Sequence, residues 1–158
     1  MSPPLQKFVN ENLRWFRGRG HETDRTLNDA ERRLGVRLPL DVRSILRDYG
    51  YWHATGISSL DETVRDTLAA REHLNLPERF VVLCDHQDGG VILLDTVADT
   101  RTQQNKIYNA GWDSVPERIA EEIVYDCYLD FLRDLLDVER AIIDDADVEY
   151  DPCRDPAS

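Results

Sequence analysis

Two short apolar runs, FVVLCD (Phe80 to Asp85) and VILLD (Val91 to Asp95), flank the polar segment HQDGG. Runs of this length, rich in β-branched residues and bounded by Asp and Gly, read as strands, and Asp88-Gly89 between them is a strong hairpin signal. Neither run alternates apolar with polar residues, so neither has a face suited to water. Both faces of the hairpin therefore need a cover, and the rest of the chain must supply it. A further strand is expected at KIYNA (Lys106 to Ala110), after the polar loop TVADTRTQQN.

The remaining apolar residues recur mainly at helical spacing. Leu5, Phe8, Val9, Leu13 and Phe16 follow Pro3 and Pro4 and stop at Gly18-Arg19-Gly20, which predicts a first amphipathic helix with Trp15 half-buried on it. Ala30 and Leu34 lie one turn apart behind a capping pair at Asn28 and Glu31, and Gly35 stands where a left-handed residue ends a helix. Pro39 suits the first turn of the next helix, whose stripe is Val42, Ile45, Leu46 and Tyr49, closed by Gly50. YWHATGISSL (Tyr51 to Leu60) has no helical period and predicts a short strand or extended segment. Ser59 and Glu62 then form a capping box ahead of Leu60, Val64, Leu68 and Ala69, a helix stopped by Pro77. A last long helix is expected from Ser114, capped with Glu117, along Ile119, Ile123, Cys127, Phe131 and Leu135. Helices, a hairpin-rich sheet and a closing helix make an α+β fold: one domain over residues 1–137, its mainly antiparallel central sheet partly wrapped by helices. Residues 138–158 read as a loose, acidic, proline-punctuated tail.

A chain of 158 residues can bury a sizeable core without disulfides. Cys84, Cys127 and Cys153 are odd in number and far apart, which predicts free thiols in a reducing compartment and no structural zinc. No apolar run reaches the length of a membrane span, and the first residues lack a basic start followed by an apolar core, so a cytoplasmic protein is expected. The net charge is −12, and its placement is uneven. Residues 1–50 net +3, residues 51–112 net −4, and residues 113–158, with 15 acidic and 4 basic groups, net −11. Such a field repels nucleic acid and anionic membrane and attracts a basic protein surface.

Cys84, Asp85, His86 and Asp88 gather a thiol, an imidazole and two carboxylates within five positions, groups able to bind a metal or move protons. They also fall at the mouth of a predicted hairpin, where turns favour Asp and Gly whatever the function. His21, His53 and His73 have no ligand-like spacing, and no metalloprotease, phosphate-loop or nucleophile-elbow motif occurs. Catalysis, a metal and a cofactor are therefore not expected. Trp52 and Trp112 lie beside Gly50 and Gly111, where a large ring can close the core or anchor a partner. Glu117, Glu121, Glu122, Asp126, Asp130 and Asp134 would line the last helix as a solvated face.

AERRLGVRLPLDVRSILRDYG, from Ala30 to Gly50, resembles the entry motif of the SUKH superfamily (Smi/Knr-like domains), with Glu31, Leu34, Gly35, Leu38, Pro39, Leu46, Tyr49 and Gly50 in the matching positions. FVVLCDHQDGGVILLDT is similar to that family's central hairpin through Gly89, Gly90 and Asp95, as is the late GWDS. The likeness covers roughly residues 26–136. Tyr51-Trp52-His53 departs from the usual small or Gly-rich continuation, and the tail is unusually acidic. The resemblance implies a single α+β domain that works by binding proteins. Similar bacterial members serve as immunity proteins that neutralise a cognate toxin, often a nuclease, and eukaryotic relatives include a regulator of cell-wall assembly in yeast. The leading expectation is a non-catalytic immunity protein for a basic toxin, with Trp52, Asp85, Asp88, Trp112, Asp113, Glu121 and Glu122 as candidate partner-binding residues. A regulatory or scaffold module is the alternative, and a hydrolase at Asp85, His86 and Asp88 ranks last.

Overall fold

The fold is that of a computed structural model, which describes residues 1–16, 20–51, 55–119 and 123–146, the last four of these by backbone alone. The central hairpin pairs β1 (Phe80–Asp85) with β2 (Val91–Asp95), and β3 (Ile107–Ala110) adds to β2. A fourth strand, β4 (Ile123–Tyr125), closes an antiparallel sheet of order β1-β2-β3-β4. The apolar runs are indeed covered on both faces, and β2 is buried along its whole length. Val81, Leu83, Ile92, Leu94 and Ile107 face the larger core, while Val82, Val91, Leu93, Tyr108 and Ala110 face a smaller one. A bulge between Val82 and Cys84 breaks the alternation and turns the half-buried Cys84 toward the larger core.

The larger core is made by helices. α1 (Pro3–Glu11) buries Leu5 and Val9 completely. Asn12 ends it by donating its amide to the Phe8 carbonyl at 2.7 Å, and a tight turn over Leu13–Trp15 follows. The helical stripe expected through Phe16 is therefore cut short: Leu13 is exposed, and Trp15 is fully buried where half-burial is expected.

α2 (Asp24–Leu34) starts four residues before the expected Asn28. Thr23 and Thr26 exchange hydrogen bonds through their hydroxyls and backbone N–H groups, a reciprocal cap that needs no glutamate. Glu31 is thereby free for other work. It pairs with Arg43 of α3 (Leu40–Asp48), and Arg43 also donates to Asn28 at 3.1 Å. The Gly35 to Pro39 corner places these partners together: Gly35 has φ of 70° and Pro39 stands just before Leu40. Leu27, Ile45 and Leu46 are each 2% exposed or less, and such a side chain contributes about 1.5–3 kcal/mol on burial.

α4 (Leu60–Leu74) has the expected cap, with Ser59 Oγ accepting from the Glu62 N–H at 3.1 Å. It ends at left-handed Asn75, two residues before Pro77, and gives Leu60 and Val64 to one core and Ala70 to the other. Of the extended segment expected at Tyr51 to Leu60, residues 52–54 lie outside the described part, and Thr55 and Gly56 form a turn.

The largest departure lies after Ser114. No helix starts there. Trp112–Ser114 form a single tight turn, and Val115 is extended at φ −87°, ψ 134° because Pro116 excludes the helical region from the residue before it. Ile123 belongs to β4, and α5 (Tyr128–Ala146) begins 14 residues later than expected. α5 buries Tyr128, Phe131, Leu132 and Leu136 in the larger core and runs into the stretch expected to be a loose tail. Residues 147–158 lie outside the described part.

Candidate functional site

At the hairpin end of the sheet, three connections converge by topology: the β1–β2 turn, the exit of β3 and the entry of β4. Asp85 ends β1. One of its oxygens, Oδ1, accepts from the Gln87 N–H at 2.8 Å and from Trp112 Nε1 at 2.9 Å, so the turn and the β3 exit are tied by one carboxylate. Gly90 makes this possible: its φ is 101°, and a Cβ there would lie 2.5 Å from the Ala110 carbonyl oxygen. The positive φ values of this turn belong to Gln87 and Gly90, whereas the hairpin signal in the sequence is Asp88-Gly89.

Trp112 is half-buried against the smaller core, with its indole N–H committed to Asp85. The ring is packed along part of its surface and open along the rest. Asp88 and Asp113 are exposed, and Asp113 is 4.0 Å from Arg118. The fold therefore brings Asp85, Asp88, Trp112 and Asp113 to one end of the sheet. Trp52, Glu121 and Glu122 lie outside the described residues. The gathered groups are acceptors around one pinned aromatic ring, suited to receive Lys or Arg side chains.

The thiol and imidazole nearby have a different character. Cys84 Sγ lies 3.9 Å from His86 Nδ1 and accepts from Ser58 Oγ at 3.2 Å. Burial pushes the thiol pKa up against the Ser58 hydrogen bond, and the charges of Asp85, Glu62 and Asp66 add to the rise. A nucleophilic thiolate needs the opposite environment. Among the described residues, no three His, Cys, Asp or Glu side chains gather to hold a metal, and no helix is long and apolar enough to cross a membrane.

Two residues of this region escape the sequence reading. Ile123 and Val124 are exposed apolar residues of β4, although the spacing of Ile123 fits a buried helical stripe. The signal is present in Ile123-Val124-Tyr125, a β-branched and aromatic run beyond the point where Pro116 breaks the helical reading. Tyr125 donates to Asp134 of α5 at 2.5 Å. Burial, with the Asp134 hydrogen bond and charge behind it, pushes this phenol up to about 12. A separate groove of about 830 Å³ runs between α2 and α4 and shares no residue with the acidic end; its charged lining, Arg25, Arg32 and Arg33 with Glu22, Asp29 and Asp61, is mixed.

The SUKH_6 family model, described as SMI1-KNR4 cell-wall, matches residues 24–132, more than half of the 158-residue chain. The chain belongs to the SUKH superfamily. The match begins at Asp24, the first residue of α2, and takes in the Gly35 to Pro39 corner, the whole sheet and the first turns of α5, leaving α1 outside. No curated protein and no solved structure matches the chain. Within this SUKH domain the Gly35 to Pro39 corner is held by Glu31 and Arg43, and the hairpin end of the sheet carries the acceptors Asp85, Asp88 and Asp113.

Proposed function

We propose that this SUKH protein is a non-catalytic immunity protein that binds a cognate bacterial toxin through a basic surface of that toxin, of nuclease type. Family membership carries the reading, because SUKH domains generally act by binding proteins. The charge distribution supports it: residues 113–158 net −11, and Asp85, Asp88 and Asp113 offer carboxylates where a nuclease would otherwise hold phosphates. The chemistry around Cys84 supports binding in preference to turnover. The description of the matching family, SMI1-KNR4 cell-wall, favours a second reading, a regulatory or scaffold module without a toxin partner.

The deciding experiment mixes the purified chain with the purified product of the adjacent gene and follows both complex formation and toxin activity. The expected result is a stoichiometric complex, with activity lost in proportion to the chain added. Inactivation by a small fraction of an equivalent would make the chain an enzyme. A complex that leaves toxin activity intact would favour the scaffold reading, and no complex would reject the immunity reading for that pair.

A further inference from the structure

The two edges of the sheet are treated differently. On β1, the outward N–H of Val82 is taken by Thr67 Oγ1 of α4 at 2.9 Å, and the Leu83 carbonyl accepts from the Ser58 N–H at 3.1 Å. That edge is sealed. β4 is the other terminal strand, and among the described residues nothing comparable bonds its outer side. Side chains of neighbouring strand residues point to opposite faces, yet Ile123 is 61% exposed and Val124 is 38% exposed. Ile123 and Val124 thus leave apolar surface open on both sides of β4, while Tyr125, on the face of Ile123, packs edge-on against Phe131 of α5. Proteins ordinarily blunt such an edge with charge, proline, a bulge or a very short strand; β4 carries no lysine, proline or bulge and is kept to three residues.

We propose that the outer edge of β4 receives an extended segment of the partner as an added strand, with an apolar centre set between basic flanks. The inference rests on the partner-binding reading above and specifies its geometry. The occupant follows from charge. Asp126 adjoins β4 and is exposed, Asp134 is bonded to Tyr125, and Glu121 and Glu122 precede the strand in sequence. A second copy pairing antiparallel on β4 would bring one acidic flank against another, with Asp126 of each chain in the repulsion. A segment carrying Lys or Arg beside its apolar residues gains from the same groups, while main-chain hydrogen bonds supply the pairing.

The probe is a capped synthetic peptide, Lys-Lys-Val-Ile-Val-Lys-Lys, compared with the same peptide N-methylated at its three central residues, which keeps the charge and removes the strand donors. Amide hydrogen exchange of Ile123 to Tyr125 is read by NMR on the full chain. The first peptide is expected to slow exchange there by at least about tenfold and the methylated one to leave it unchanged. Ile123→Lys with Val124→Lys should abolish the protection without lowering the melting temperature, both side chains being exposed. No protection, or equal protection by both peptides, overturns the proposal, as does a peptide-free dimer protected at β4. A stoichiometric toxin complex with β4 still exchanging freely would overturn the edge and spare the immunity reading. Protection by the peptide with no toxin complex would do the reverse.

Discussion

Cys84 and His86 would look like a catalytic pair to a motif search, and the surroundings of the thiol decide otherwise. With its pKa raised by burial, Cys84 should be alkylated by iodoacetamide at pH 7 more slowly than free glutathione when Cys127 and Cys153 are changed to Ser. His86→Ala should alter that rate by less than about twofold. A fast reaction with an inflection below pH 7, lost in His86→Ala, would show an activated thiolate instead. Two glycines separate backbone strain from crowding at the same scale. Gly35 has φ +70° and open space within 4 Å of where a Cβ would stand, whereas Gly90 has φ +101° and the Ala110 carbonyl at 2.5 Å. Gly35→Ala should therefore cost about 1 kcal/mol, from the left-handed conformation alone. Gly90→Ala adds a backbone clash to a conformation nearly reserved for glycine and should cost about 2–4 kcal/mol. Urea unfolding of the two variants measures the difference, and equal losses would mean that β2 and β3 yield at no cost.

Among the elements, β4 and α5 are fastened by the hydrogen bond from Tyr125 to Asp134. The phenol is favoured in its neutral form in the folded state, its pKa standing at about 12 against an ordinary 10.0. Its contribution is therefore complete below pH 10 and is lost as the pH climbs from there through about 12. Tyr125→Phe should lower stability by about 0.5–1 kcal/mol at pH 8, the net value of a hydrogen bond in a partly exposed place. The gap to wild type should narrow by pH 11. Urea titrations at the two pH values check this; a gap that widens with pH would mean that the fold favours the ionised phenol after all.

For the molecule as a whole, the charge is concentrated toward the C-terminus, and long-range attraction acts on encounter more than on escape. Rising salt should slow association with a basic partner far more than it speeds dissociation. Removing residues 147–158 takes away none of the described residues and moves the net charge from −12 to −9. Stopped-flow binding at two salt concentrations should show a lower association rate and a shallower salt slope for the shortened chain, with dissociation unchanged. Identical association rates would exclude steering by that segment.

Local chemistry was legible in the chain wherever a few neighbouring residues decide the outcome. Continuous apolar runs made β1 and β2 strands with both faces covered, Ser59 and Glu62 began α4, and Gly35 with Pro39 broke α2 from α3, because each depends on residues a few positions apart. The same locality explains the failures. Asn28-x-x-Glu31 and Ser114-x-x-Glu117 both fit a capping box, but Thr23 already caps α2, and Pro116 forces Val115 extended. A cap can only begin a helix where the chain is free to turn into one. Ile123 fits a helical stripe by spacing, but Pro116 breaks that helix and the β-branched run Ile123-Val124-Tyr125 pairs with the open edge of β3 instead. The acidic end of the sheet was legible as a set of residue types, whereas its assembly was not. Asp85 and Trp112 are 27 positions apart, and their contact exists only because β1, β2 and β3 stand side by side.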